Sequence, residues 1–195
     1  MFILYALVIG FVVGLLLGGR PGGLARLEFR WPWLIIGGLL VQVVLFTDQV
    51  ARAVGDLGAP IYLGSTALVF LGVLRNADIP GMKIVALGAA SNLAAIVANG
   101  GYMPAGRDAM TALGKTDPTI YSNSAVVAHP ALEPLTDIFA LPAWLPFSNI
   151  FSVGDVLIAL GVAVVIVRAM RAGPEPDGEP EPEQRSSAEP SVVVR

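Results

Sequence analysis

The chain has 195 residues, of which 55% are hydrophobic and 14% charged, and its formal net charge at pH 7 is −3. This composition is typical of integral membrane proteins and not of soluble domains, and it offers no basic face for nucleic acid. Cysteine is absent and histidine occurs once, which excludes disulfides, thiolate nucleophiles and an all-histidine metal site within one chain. We therefore expect one membrane domain without a metal or cofactor.

Five apolar stretches predict an all-α integral membrane protein with five transmembrane helices. In chain order, the predicted helices cover residues 2–19, 33–46, 59–74, 84–98 and 151–167. The first stretch is just long enough to cross a bilayer, and only Met1 precedes it, so we expect a retained helix and not a cleaved signal peptide. The second is short, and Trp31 and Trp33 stand where aromatic rings favour the headgroup level.

Glycine recurs every fourth residue in the first predicted helix, at Gly10, Gly14 and Gly18. This spacing puts three glycines in one groove of a helix, where a neighbouring helix can approach closely. We interpret the groove as a packing surface; the alternative is a groove for substrate.

The longest connection, residues 99–150, contains the segment NGGYMP and a Pro-rich apolar segment that ends in FALPAWLPF. A long loop in a small membrane protein is usually functional or disordered. Pro142 and Pro146 prevent a spanning helix around Trp144, so we expect this part to lie on the bilayer surface or dip into it. Residues 172–195 are rich in Pro, Glu and Ser and lack apolar surface, which predicts a disordered tail after a membrane domain of residues 1–171.

Basic residues predict the orientation of the helices. With the N-terminus outside and the C-terminus cytoplasmic, most basic residues near helix ends fall on the cytoplasmic side, as the positive-inside rule requires. The cytoplasmic set is then Arg20, Arg26, Arg30, Arg75, Lys83, Arg168 and Arg171, against Arg52, Arg107 and Lys115 outside. This orientation puts the long loop and the start of the last helix on the outer face.

The fourth predicted helix contains Ser91 and Asn92 within the small-residue run GAASNLAAIVA. An amide at membrane depth must find a hydrogen-bond partner. Two interpretations remain open: Asn92 forms an interhelical hydrogen bond, or it lines a polar cavity together with acidic residues.

Asp155 is the only ionisable residue in the apolar run 148–167, and Asp137 lies eighteen residues before it. A carboxylate is unfavourable on a lipid-facing helix, so Asp155 should face protein or water and is a candidate functional residue. Two carboxylates held a few ångströms apart share one proton, and such a pair can activate water and protonate a leaving group. This chemistry requires the loop to fold back and bring Asp137 to Asp155.

The segments LTDIF and SNIFSVGDVLIALGV resemble the C-terminal part of the lipoprotein signal peptidases, which are aspartic intramembrane proteases. The resemblance covers about a quarter of the chain and places Asp137 and Asp155 on the two catalytic aspartates. Asn92, in GAASNL, matches the asparagine of that family's G-x-x-G-N-L motif. The chain departs from the pattern where the family continues with an Asp-Arg pair, since Ala94, Ala95 and Ile96 stand there, and in having five predicted helices instead of four.

The whole sequence more closely resembles a family of small bacterial membrane proteins of unknown function that share NGGYMP and FSVGDVLIA-like segments. This resemblance implies a multi-pass protein of the bacterial plasma membrane and implies no activity.

Two functions from different classes follow from these patterns. The first is an intramembrane hydrolase in which Asp137 and Asp155 cleave a lipid-linked or transmembrane substrate, and Asn92, Asn99 and Tyr102 orient it. The second is a non-catalytic scaffold or accessory subunit, in which Asp155 caps the last helix and the glycines recruit a partner membrane protein.

Two further interpretations are weaker. The predicted helices carry too few ionisable groups for a transport relay. A metal site formed by His129, Glu133 and Asp137 would need a regular helix, which Pro130 and Pro134 disfavour.

Overall fold

The computed structural model describes residues 2–114, 124–125 and 127–172. The described chain is mostly helical, and its α-helices are α1 (Phe2–Leu16), α2 (Pro32–Leu45), α3 (Asp48–Val54), α4 (Gly58–Arg75), α5 (Met82–Ala98), α6 (Arg107–Ala112) and α7 (Val153–Arg171). The five longest coincide with the five predicted helices. Helix α3 lies in the connection between the second and third predicted helices.

Two helical stretches are long and apolar enough to cross a membrane: residues Asp48–Arg75, which join α3 to α4, and α7. Helices α1, α2 and α5 are apolar but shorter. The five long helices therefore lie at the predicted positions. By length and composition alone, two of the described helical stretches could cross a membrane.

The long helices pack side by side in the order α2, α4, α5, α7, α1. Gly10 of α1 lies beside Ala163 and Gly14 beside Met170, so α1 and α7 run parallel. Gly88 of α5 lies beside Gly154 and Gly81, just before α5, beside Gly161, so α5 and α7 run antiparallel. Because the helices form a row instead of a closed bundle, many large apolar side chains of α1, α2 and α7 remain exposed.

Helices α5 and α7 approach each other so closely that their backbones are in contact. A Cβ atom at Gly88 would lie 2.4 Å from the carbonyl oxygen of Gly154, and one at Gly161 would lie 2.7 Å from the backbone nitrogen of Val85. Real Cβ atoms do not approach backbone this closely, so only glycine permits the observed helix separation.

The predicted glycine groove of α1 is correct in part. A Cβ at Gly10 would lie 2.9 Å from the Cα of Ala163, and one at Gly14 would lie 2.5 Å from the sulfur of Met170, so both glycines face α7. Gly18 lies beyond the end of α1, and no described atom is within 4 Å of its Cβ position. The expectation that Gly18 packs against a helix is therefore wrong.

Gly18 instead ends α1. Its φ is +77°, and the N–H groups of Gly18 and Gly19 donate to the carbonyls of Leu15 and Gly14 at 2.9 and 2.8 Å. This is the glycine-dependent arrangement that commonly terminates α-helices, and it explains why the helix is three residues shorter than predicted.

A buried asparagine joins the connection before α2 to the end of α4. Asn76, 1% exposed, accepts from the backbone N–H of Arg30 at 2.7 Å and donates to the carbonyls of Arg30 and Gly72. The side chains of Arg30 and Asp78 form an exposed ion pair at 3.2 Å nearby. Asn76 therefore holds the two helix ends together through three hydrogen bonds to backbone.

The predicted outer loop has regular structure where it is described. Besides α6, it contains the short strands β1 (Met103–Pro104), β2 (Ser124–Ala125), β3 (Phe139–Ala140) and β4 (Ile150–Phe151). Strands β1 and β2 pair in parallel, and β3 and β4 pair antiparallel. Lys115 and the predicted disordered tail beyond Ala172 lie outside the described residues.

The close contact of α5 with α7 predicts a large difference between two Gly-to-Ala substitutions. Gly88→Ala forces a methyl group against the backbone of α7 and should lower the free energy of unfolding by about 1–3 kcal/mol. Gly64→Ala is the matched control, because no described atom lies within 4 Å of its Cβ position; alanine there should stabilise α4 by up to about 1 kcal/mol. Denaturant unfolding followed by circular dichroism measures both, and equal stability of the two variants would contradict the helix separation described.

Candidate functional site

The first turn of α7 is fixed by a capping box between Ser152 and Asp155. The Ser152 hydroxyl accepts from the backbone N–H of Asp155 at 3.0 Å, and the Asp155 carboxylate accepts from the backbone N–H of Ser152 at 3.0 Å. Each side chain thereby satisfies a backbone donor at a helix N-terminus, where donors lack partners within the helix.

Asn92 of α5 connects to both members of this capping box. Its Nδ2 donates to Oδ1 of Asp155 at 2.8 Å, and its Oδ1 accepts from the Ser152 hydroxyl at 2.9 Å. We name Asn92, Ser152 and Asp155 the polar junction. Ser152 is completely buried, whereas Asn92 and Asp155 are half-buried.

Gly154 is one of the two residues between Ser152 and Asp155, and the polar junction requires a glycine there. A Cβ atom there would lie 1.9 Å from Oδ1 of Asn92. Any other residue would displace the amide that bridges α5 to α7. The sequence S-V-G-D thus combines a helix cap with the close approach of a second helix.

The hydrogen bonds give each group of the polar junction a defined role. The Asn92 amide donates to the carboxylate and accepts from the hydroxyl, so its orientation is set by two different partners. The carboxylate receives one donor on each oxygen and remains half-buried. The arrangement fixes Asp155 in position and leaves part of the residue accessible to a further group.

Asp137 lies in a buried segment that returns from the loop towards α7. The residue is 6% exposed, and its backbone N–H donates to the carbonyl of Pro104 while its carbonyl accepts from the N–H of Gly106, both at 2.9 Å. This segment therefore lies against the end of the NGGYMP sequence. The chain then enters β3.

The hairpin formed by β3 and β4 holds Asp137 and Asp155 at the same end. Phe139 pairs with Phe151 and Ala140 with Ile150, and the two phenylalanine rings stack at 5.5 Å. Asp137 lies two residues before β3, and Asp155 lies four residues after β4. The hairpin therefore brings the segment that contains Asp137 back towards the start of α7.

The remaining predicted substrate-orienting residues lie where α5 continues into the loop. Asn99 donates to the carbonyls of Ala95 and Ala131 at 2.8 Å and accepts from the N–H of Ala131 at 2.9 Å. Its amide thus closes the loop, away from the hydrogen bonds of the polar junction. Tyr102 is half-buried and directly precedes β1.

Sequence reasoning did not single out Ser152, although a signal for it exists. Serine followed three residues later by an acid and then by an apolar run is the pattern of a capping box. Its bond to Asn92 has no comparable signal, because it joins residues sixty positions apart.

Within residues 2–114, 124–125 and 127–172, no group of three or more His, Asp or Glu side chains is placed to hold a metal ion. His129 is exposed in the loop.

Comparison with known proteins places the chain in a family. The model of a family of unknown function, DUF5317, matches residues 26–167. The chain belongs to this family. The matched residues include the polar junction, Asp137, Asn99 and Tyr102, whereas α1 lies before them.

A relative from Thermotoga maritima, described as an uncharacterised protein, is 30% identical over 118 residues, which cover 60% of this chain and 68% of the relative. No solved structure matches the chain.

The polar junction predicts that the hydroxyl group of Ser152 stabilises the protein, whereas the hydroxyl group of Ser91 does not. Ser152→Ala removes an N-cap and leaves the Asp155 N–H and Asn92 Oδ1 without this partner, so the free energy of unfolding should fall by about 1–3 kcal/mol. Ser91→Ala is the matched control, because the Ser91 hydroxyl is buried and has no hydrogen-bond partner among the described residues; its removal should leave stability unchanged or raise it. Denaturant unfolding checks both variants, and a neutral Ser152→Ala would contradict the importance assigned to the junction.

Proposed function

We propose that the protein is a multi-pass membrane protein whose five long helices all lie in the bilayer. The exposed apolar side chains of α1, α2 and α7 support this proposal, because contiguous apolar surface of this extent is unfavourable in water. The shorter helices reach the thickness of a membrane only with local thinning of the bilayer, which short transmembrane helices commonly cause.

The alternating helix directions support one orientation. The N-termini of α1 and α7 and the C-terminus of α5 lie at one end of the row, next to the loop that carries Asp137. The opposite end carries the basic residues Arg20, Arg30, Arg75, Lys83 and Arg168. With the basic end in the cytoplasm, the N-terminus and the polar junction belong to the outer face.

This topology predicts the labelling of single cysteines, which can be introduced cleanly because the chain has none. Asp108→Cys, at an exposed position of α6, should react with a membrane-impermeant maleimide in intact cells. Lys83→Cys, at the exposed start of α5, should react only after the cells are permeabilised. The reverse pattern would invert the proposed orientation, and equal labelling of both positions in intact cells would contradict a membrane-spanning arrangement.

We further propose that the polar junction and Asp137 form the site of an aspartate-dyad hydrolase. The observation that carries this proposal is the Asn92–Asp155 hydrogen bond at the foot of the hairpin that bears Asp137. The resemblance to lipoprotein signal peptidases also points to Asp137, Asp155 and Asn92, which lie in separate segments of the sequence. Their convergence at one end of the helix row supports a common role.

In the proposed reaction, one aspartate is ionised and the other protonated. The ionised carboxylate takes a proton from water as the water oxygen attacks a peptide carbonyl, and the protonated carboxyl donates its proton to the leaving amine. Asn92 acts as a positioning residue, since its amide holds the Asp155 carboxylate. The half-buried location of Asp155 suits a lipid-linked or transmembrane peptide presented from the bilayer.

The hydrolase proposal predicts that Asp137→Asn and Asp155→Asn each abolish cleavage of a fluorescent lipopeptide by the purified protein. Asp108→Asn, on the exposed side of α6, is the control and should retain full activity. Thermal unfolding of each variant identifies a temperature at which all are folded, and activity is compared there. Turnover that survives Asp155→Asn in a folded variant would refute the dyad.

A specific observation also favours the alternative, a non-catalytic scaffold. Both carboxylate oxygens of Asp155 already bind donors within the protein, which is sufficient to explain an acid at the start of α7. In that case Asp155→Asn lowers the free energy of unfolding, and the effect of Asp137→Asn on stability is independent of it. The wild-type protein then co-purifies with a stoichiometric membrane partner and does not hydrolyse the lipopeptide.

A further inference from the structure

The tip of the β3–β4 hairpin, residues 142–147, exposes large aromatic side chains. Trp144 is 80% exposed and Phe147 67% exposed. We name these six residues the aromatic tip. No charged residue occurs between Asp137 and Asp155, and the indole N–H of Trp144 is the one polar side-chain group in the sequence of the aromatic tip.

The aromatic tip is built from consecutive turns and is not an open loop. Beyond β3 and β4, the N–H of Leu141 donates to the carbonyl of Asn149 at 2.9 Å, which extends the pairing. Within the tip, the N–H of Leu145 donates to the carbonyl of Pro142 at 3.0 Å. Phe147 adopts a φ of +57°, a left-handed conformation that is unfavourable for a bulky residue. The fold therefore holds two large apolar side chains outward.

The aromatic tip is attached to α1. The hydroxyl of Tyr5 donates to the carbonyl of Pro146. Around Tyr5, the side chains of Ile3, Leu7 and Val8 are exposed. The tip thus continues the exposed apolar surface of α1 at the level of its first turns.

The length of α1 sets the depth of the tip. Its 15 residues extend about 22 Å, whereas the hydrocarbon core of a bilayer is about 30 Å thick. A helix this short cannot carry its first turns far beyond the hydrocarbon boundary. A group attached to Tyr5 therefore lies at that boundary, where tryptophan is favoured.

We infer that the aromatic tip inserts into the lipid interface and anchors the hairpin that positions Asp137. This inference rests on the proposed membrane location. Leu141, directly before the tip, follows Asp137 by four positions, which in extended chain is a distance of about 13 Å. Anchoring the tip thus sets the height of Asp137 relative to the lipid and directs the accessible side of Asp155 towards substrates that arrive within the bilayer.

The test uses the full chain in phosphatidylcholine vesicles whose acyl chains are brominated close to the headgroup, because bromine quenches tryptophan on contact. Trp31→Phe and Trp33→Phe leave Trp144 as the sole tryptophan. The fluorescence of Trp144 should be strongly quenched in these vesicles relative to vesicles of unbrominated lipid. Quenching should be weaker when the bromine lies near the ends of the acyl chains.

A matched control separates this inference from the membrane proposal. It carries Trp31→Phe, Trp33→Phe, Trp144→Phe and Leu160→Trp, so that its sole tryptophan occupies an exposed position on α7. Quenching of this control without quenching of Trp144 would overturn the inference and leave the membrane location intact. Absence of quenching in both proteins would overturn the membrane proposal and the inference together.

Discussion

The hydrogen bonds among Asn92, Ser152 and Asp155 are the constraint on which the described arrangement depends. They fix the N-terminus of α7 and tie it to the middle of α5, at a point where Gly88 and Gly154 allow the two backbones to touch. Since α7 also packs against α1, and α5 against α4, this contact connects both halves of the helix row. Polar groups with satisfied hydrogen bonds specify one helix register, which apolar packing alone does not.

The same junction relates the loop to the helices. The chain that follows α5 passes through NGGYMP, places Asp137 against its end, and returns through the β3–β4 hairpin to Ser152. Segments separated by more than fifty residues thus meet at one end of the row. Both proposed functions use this convergence: the hydrolase requires it to bring two acids together, and the scaffold requires it to hold a rigid surface for a partner.

Much of the helical framework was predictable because it follows from local patterns. Apolar runs bounded by Arg, Pro and Gly located the five long helices, and the four-residue spacing correctly selected Gly10 and Gly14 as contacts of a neighbouring helix. Gly18 was assigned wrongly because a packing glycine and a helix-ending glycine have the same spacing, and only the backbone angle separates them. The burial of Asn76 and its bonds to Arg30 could not be predicted, since they join residues forty-six positions apart. The sequence likewise does not identify the partner of Asn92, because the hydrogen bond to Asp155 joins residues sixty-three positions apart.

The central claim of the functional account is that Asp137 and Asp155 act as one carboxylate pair. Infrared spectroscopy of the membrane-reconstituted protein at neutral pH tests it most directly, because a protonated carboxyl group has its own carbonyl-stretching band. The account predicts one such band in the wild-type protein that disappears in Asp137→Asn and in Asp155→Asn alike, since the two groups share a single proton. Absence of the band, or its loss in only one of the two variants, would contradict the pairing.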